Sequence, residues 1–280
     1  MKISIVTISY NQARFLEQAI CSVINQDYPD KEYIVVDPGS TDGSREIIER
    51  YRDRIDKIIF EPDEGPADGL NKGFAQATGE IFGFINSDDA LLPGALSRVA
   101  RAFAENPEVD VILGYVYQVD GNGRLIKRIR TGKINPKRFV YGGVNFAQQG
   151  MFFRAHVFRR VGGFNIKNTT SWDGELALDM ALSGARFAVL DEYIAIFRLH
   201  DRSASKSSDM DRMKRVVENH ERCFVKAMGR NRRAIDKIVR QLFRFDKWRR
   251  DPVGLVIRLY DMLILSLRPR YIEIRSLLDG

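Results

Sequence analysis

The sequence predicts an α/β fold, a mostly parallel sheet flanked by helices, with a helical appendage at the carboxyl end. Three observations carry this. Strand-like and helix-like segments alternate four times in the first hundred residues, the strand-like runs are almost wholly apolar, and the chain turns helical and Arg-rich from residue 208 onward. In such a sheet, ligands bind beyond the carboxyl ends of the strands.

The first strand is the apolar run 3–9 (ISIVTIS), and 12–26 then place Phe15/Leu16, Ala19/Ile20 and Val23/Ile24 on one helical face. Tyr33–Asp37 is the second strand, followed by a Gly/Ser/Thr turn and a helix over Ser44–Tyr51. Lys57–Phe60 follows, then a Pro/Gly loop and a helix near 67–77. The fourth strand, 80–86 (EIFGFIN), ends at Ser87-Asp88-Asp89, with Pro93 near the start of another helix. Beyond it the alternation breaks: 109–130 read as two strands around the Asp120-Gly121-Asn122-Gly123 turn, 146–154 as another strand, 173–184 as a helix, and 186–190 and 193–199 as strand-like runs. Pro252 and Pro269 interrupt the helical tail.

With 280 residues and 44% hydrophobic content, the chain can bury a large core. The expected organisation is a body over 1–205, divided near 105, and an extension over 206–280. Cys21 and Cys223 stand far apart with no CxxC, which excludes a disulfide framework or a zinc knuckle and fits a reducing compartment. The opening MKISIVTISYNQ lacks the cleavage site of a secretory signal, so the expected location is cytoplasmic. The net charge of +7 is local. Residues 1–209 carry 26 Lys and Arg against 28 Asp and Glu, net −2, whereas 210–280 carry 18 against 9, net +9. A near-neutral body with a basic tail suggests that the tail meets an anionic surface while the body does the chemistry.

Chemistry points to the strand ends. Asp37 follows EYIVV, and Asp88 and Asp89 follow IFGFIN. Acids gathered at one sheet edge repel phosphates unless a hard divalent cation intervenes, so Mn²⁺ or Mg²⁺ is the expected cofactor. The plainer alternative is that Asp88-Asp89 caps the next helix.

Four segments, ISIVTISYNQARFLEQAICSVINQ, YIVVDPGSTDGS, DGLNKGFAQATGEIFGFINSDD, and QQGMFFRAHVFRRVGGF with the later WDGELALDM, resemble in order and spacing the family 2 glycosyltransferases of the GT-A fold, whose sheet is Rossmann-like. The resemblance covers most of residues 1–200. It implies an inverting, metal-dependent transfer from a nucleotide sugar, UDP-linked, to a glycan or lipid-linked saccharide in surface polysaccharide synthesis. It also implies roles: Asp37 at the nucleobase, Thr7 and Tyr10 lining the nucleotide pocket, Asp88 at the ribose and Asp89 on the metal. Pro38 departs from the second Asp that many relatives have, which leaves base selectivity open. Asp68, Asn71 and Lys72 would pack beside the nucleotide, Lys72 as a point charge on phosphate or merely as an exposed lysine.

By the same resemblance the catalytic base is Asp173, with Glu175 as second choice; two residues along a helix, Glu175 would point elsewhere. Direct displacement with one base implies inversion at the anomeric carbon. His200 would be a further metal ligand or else a surface hydrogen-bonder. Gln149 would contact acceptor hydroxyls or satisfy loop backbone.

In the tail, eleven of the sixteen residues from 252 to 267 are apolar, flanked by Arg249, Arg250, Arg268 and Arg270. This run is too short and interrupted to span a bilayer. It suits an interfacial helix on an anionic membrane at the inner face, or a helix packed on the catalytic body or, by self-association through 250–280, on a second subunit. Two other functions compete. A sugar nucleotidyltransferase would need a Gly-rich basic loop after the first strand, where SYNQARF stands; a nucleic-acid or membrane adaptor would leave the strand-end acids idle, because acids repel a phosphate backbone.

Overall fold

The computed structural model describes residues 1–201, 203 and 209–265. Four strand–helix alternations open the chain: β1 (Ile3–Ile8), α1 (Ala13–Ile24), β2 (Lys31–Val36), α2 (Ser44–Arg50), β3 (Lys57–Ile59), α3 (Pro66–Gln76), β4 (Ile81–Asn86), the short β5 (Ala90–Leu91) and α4 (Ala95–Glu105). A hairpin of β6 (Val111–Asp120) and β7 (Leu125–Ile129) leads through α5 (Pro136–Val140) to β8 (Met151–Arg154), α6 (Ala155–Arg160), α7 (Trp172–Leu182) and β9 (Phe187–Leu199). Three helices follow, α8 (Met210–Met228), α9 (Ile235–Arg250) and α10 (Pro252–Ile264).

The sheet order is β3-β2-β1-β4-β8-β6-β9-β5, with β7 paired to the outer half of β6. The strands β3, β2, β1 and β4 are parallel, whereas β8 runs antiparallel to both β4 and β6, and β6 runs parallel to β9. The parallel character therefore belongs to the first half of the sheet, and the second half is mixed. Two expectations shift in detail. The segment 146–154 begins with a 3₁₀ turn at Gln148–Gly150 before β8, and the two runs after 186 merge into one long strand, β9.

Strand alternation sends side chains into two cores. Ile3, Ile5, Tyr33 and Val35 pack under Leu16 and Ile20 of α1 and Val99 and Phe103 of α4. On the opposite face, Val6, Ile34, Phe82 and Phe153 meet Leu70 and Phe74 of α3, Phe158 of α6 and Leu176 and Met180 of α7. Gly73 makes this second layer possible, because a Cβ there would stand 2.5 Å from Val6 Cγ1. Helix α3 thus lies directly on β1.

Buried Glu32 ties the amino-terminal strand ends together. Burial alone would raise its carboxyl pKa, but hydrogen bonds from Ser4 and Thr78 and the charge of Lys57 outweigh it and hold the value at about 2. A depressed carboxylate stabilises the fold above its ordinary range, and that contribution fades as pH falls from about 4.5 toward about 2.

The carboxyl-terminal helices pack on the body through hydrogen bonds and partly buried ion pairs. Asp236 accepts from Tyr141 and Arg230, and its carboxyl is held far below the usual range by those partners; Asp261 grips Arg128 at 2.6 Å, and Asp251 meets Arg130 at 3.2 Å. Residues 266–280, including Arg268 and Arg270, lie outside the described residues.

Candidate active site

A cleft of about 960 Å³ opens at the carboxyl ends of the parallel strands. One half is built from β1 to β4 and the loops after them: Ile8, Ser9, Tyr10, Pro38, Asp63, Asn86 and Asp88 line it. The other half comes from the mixed part of the sheet and the start of α7, through Lys127, Phe146, Gln149, Trp172 and Asp173.

Asp88 lines the cleft, and His200 stands behind it in the wall of a neighbouring pocket. Their Oδ2 and Nε2 stand 3.1 Å apart, and the His200 ring packs at 4.7 Å from that of Phe15. Burial pushes the Asp88 carboxyl up, against the pull of His200. The neighbouring Asp89 faces the other way and does not reach the cleft. Its Oδ1 accepts the Arg198 backbone N–H at 2.9 Å, and its Oδ2 accepts Gln149 Nε2 at 2.8 Å and Asn86 Nδ2 at 3.2 Å. The carboxylate of Asp89, the expected metal position, is 1% exposed and accepts these hydrogen bonds; of the two adjacent acids, Asp88 is the one that lines the cleft. Arg198 underlies the arrangement, with its buried guanidinium donating to the Asp88 carbonyl at 3.0 Å and to Gln18 Oε1 at 2.7 Å.

Asp37 is also turned inward. Its Oδ1 accepts from the backbone N–H groups of Gly39 and Ser40 and from Arg45, its Oδ2 accepts from the Ser40 hydroxyl, and it has no exposed surface. It shapes the turn that carries Pro38 and Gly39 to the cleft, rather than lining the cleft itself. Thr7 lies beneath the floor, accepting the Tyr33 hydroxyl at 3.0 Å, while Ser9 and Tyr10 line the wall. Asp68 and Lys72 form a 2.9 Å ion pair along α3, and Lys72 also donates to the Pro62 carbonyl. Neither lines the cleft, whereas Asp63, in the loop before that helix, does.

Asp173 sits in the first turn of α7, and burial raises its carboxyl pKa above the ordinary range. Its neighbour Trp172 fixes the helix start by packing against Phe84 at 5.6 Å and Phe164 at 5.4 Å. Glu175 points away, accepting from Asn165, Asn168 and Lys226, and so braces the loop before α7. Asp179 pairs with the same lysine at 2.7 Å. Gln149 lines the cleft while donating to Asp89.

Among the described residues, four buried side-chain oxygens lack a partner, and three of them, Ser9 Oγ, Asn86 Oδ1 and Gln148 Oε1, belong to residues that line this cleft. Such groups carry a desolvation cost of about 1–3 kcal/mol each unless a ligand completes them. None of the three was expected from the sequence, although Asn86 ends the fourth strand immediately before the acids. No three His, Cys, Asp or Glu side chains converge as a metal cage among the described residues.

A family model described as glycosyl transferase family 2 matches residues 4–162, more than half of the chain. The chain belongs to glycosyltransferase family 2. An uncharacterized glycosyltransferase of Nostoc sp. is 32% identical over 71% of this chain and 65% of its own length. TarS of Staphylococcus aureus, a poly(ribitol-phosphate) β-N-acetylglucosaminyltransferase, is 32% identical over 44% of this chain and 22% of its own length. The family 2 chain thus spans less than two thirds of the length of either relative. The structure of TarS residues 1–349 with UDP-GlcNAc superposes with a TM-score of 0.64 at 20% identity, over 99% of this chain and 78% of that one. A mannosyltransferase from Pyrobaculum calidifontis, in complex with GDP-Man and Mn²⁺, gives 0.61 at 19% identity over 99% and 78%. At these identities the likeness establishes the GT-A fold.

Proposed function

We propose that the chain transfers a sugar from a nucleotide sugar, UDP-linked, to a hydroxyl of a surface glycan or lipid-linked saccharide, with inversion and with Asp173 as the base. The supporting observation is the convergence on one cleft of three unpartnered buried oxygens, the carboxylate of Asp88 backed by His200, and the desolvated carboxylate of Asp173. The family and the polymer-glycosylating relative agree with this reading.

The donor set suits Mn²⁺ or Mg²⁺: one carboxylate and one imidazole, with the Asn86 carbonyl oxygen nearby in sequence and open for a partner. Asp88 and His200 would hold the ion, leaving its other positions to phosphate oxygens. When bound, it supplies positive charge where the diphosphate departs. The chain's own residues do the rest. Ser9, Tyr10, Pro38 and Gly39 cradle the nucleotide, Trp172 and Gln149 enclose the sugar, and Asp173 takes the proton of the attacking hydroxyl on the acceptor side. Incubation with a panel of nucleotide sugars is expected to show slow hydrolysis of a UDP-sugar that stops with EDTA. Hydrolysis of none, with nucleoside triphosphate and sugar phosphate condensed instead, would favour a nucleotidyltransferase.

No described helix is long and apolar enough to cross a membrane. Helices α9 and α10 nevertheless expose apolar side chains at helical spacing, Ile238, Leu242 and Phe245 on one and Val253, Val256 and Leu263 on the other, beside a surplus of arginine. An anionic membrane surface suits both features, so this extension is read as a peripheral anchor. The full chain is expected to sediment with vesicles of 30% phosphatidylglycerol but not with neutral ones, and Leu242→Glu with Val256→Glu to abolish it. Equal sedimentation of the double variant would remove the anchor.

A further inference from the structure

Resting on the glycosyl-transfer reading, we infer that the acceptor carries a phosphate group, which Lys127, Lys247 and Arg258 receive at the rim of the cleft across from the nucleotide half. Lys127 projects from β7 into the cleft, next to Ile129 on the same strand face. The residue between them, Arg128, points to the opposite face and is gripped by Asp261 of α10. That grip fixes α10 against β7, and Arg258, one turn before Asp261, comes close to Lys127. Its guanidinium lies 5.2 Å from the ring of Trp248. Lys247 arrives from α9 and donates to Asn145 Oδ1 at 3.2 Å, one residue before the cleft-lining Phe146.

Three separate elements therefore deliver cations to one place, and among the described residues no carboxylate forms an ion pair with them. The acids nearby are already taken: Asp261 by Arg128, Asp251 by Arg130, and Asp246 by Arg138, Arg249 and Arg250. Burial and neighbouring positive charge, from Arg258 on Lys127 and from Arg258, Arg244 and Lys127 on Lys247, hold both ammonium groups below the usual lysine range. Gathered like charges that are partly desolvated oppose the fold, and an anionic phosphate ester is the ligand that reverses the sign. The donor's own diphosphate belongs at the other wall, with Asp88 and, behind it, His200. The phosphate received here is thus a second one, on the acceptor. It is either the link between a glycan and its lipid carrier or a phosphodiester within a polymer.

The test uses the full chain saturated with UDP and Mn²⁺, so that the donor half is filled. Farnesyl phosphate, a glycerol phosphodiester trimer and uncharged farnesol are titrated into it calorimetrically. At least one phosphate probe is expected to bind and farnesol not to, with Lys247→Gln and Arg258→Gln each weakening the phosphate probe about fivefold or more while UDP affinity stays within twofold. Tighter binding of farnesyl phosphate assigns the group to a lipid carrier, and tighter binding of the trimer assigns it to the polymer. The inference is overturned if the phosphate probes bind only by displacing UDP, if both variants bind them as the wild type does, or if the variants lose only sedimentation with anionic vesicles. Should UDP itself fail to bind, the donor reading fails separately, and titration of the same probes into the unliganded chain with Lys247→Gln still decides this one.

Discussion

Asp173→Asn is expected to lower turnover by about 10²- to 10⁴-fold while leaving UDP binding within about twofold of the wild type. Asn keeps the shape and the acceptor oxygen, so the bond from the Gly174 backbone N–H survives, but it cannot take a proton. Burial raises the carboxyl pKa of Asp173, and the base acts only when ionised, so wild-type turnover should fall on the acid side at a pH above the ordinary aspartate range. That acid limb should vanish from the residual activity of the variant. Stability gives an independent check. A carboxyl whose folded pKa is raised favours the fold fully below its unfolded value, and that contribution is lost as pH rises through the folded one. At neutral pH the ionised group therefore opposes folding, and the Asn variant should melt no lower than the wild type. A fall in melting temperature together with lost UDP binding would make Asp173 structural.

The second large effect separates two adjacent acids. Asp88→Asn should reduce UDP affinity in Mn²⁺ to the value measured in EDTA, because a neutral amide no longer completes the donor pair with His200, and the melting temperature should change little. Asp89→Asn should do the reverse. It turns an amide N–H₂ toward donors that then lack an acceptor, Gln149 and Asn86 among them, beside the buried Arg198. The expected cost is roughly 3 kcal/mol of stability, seen by denaturant titration. Metal-coupled UDP binding by whatever remains folded should persist. If Asp89→Asn instead folds normally and loses the metal response, the two acids exchange roles.

That exchange shows where sequence reasoning stops. The alternation of strands and helices in the first hundred residues was legible because each segment announces itself by its period, and the hairpin beyond it by the turn residues Asp120–Gly123. That acids would gather at strand ends was legible too. Which of two consecutive acids in a tight turn faces the cleft depends on a backbone N–H of Arg198, 109 residues later, and no local pattern reports it. Asp37 was likewise reclaimed by its own turn through Gly39 and Ser40. Other misplacements left a signal. Asp68 and Lys72 are four apart on a helix, the spacing of an intrahelical ion pair, and Thr7 and Ser9 lie at the end of one strand, where only tertiary closure separates floor from wall. Asp173 and Glu175, two helical positions apart, diverge by about 200° and face different ways, as that spacing predicts.

The most direct measurement is a calorimetric titration of UDP into the full wild-type chain with Mn²⁺ and again with EDTA. UDP is expected to bind at least about tenfold more tightly with the metal present, and Asp88→Asn to erase the difference. Equal affinity under both conditions would contradict a cation-assisted departure of the nucleotide from this cleft.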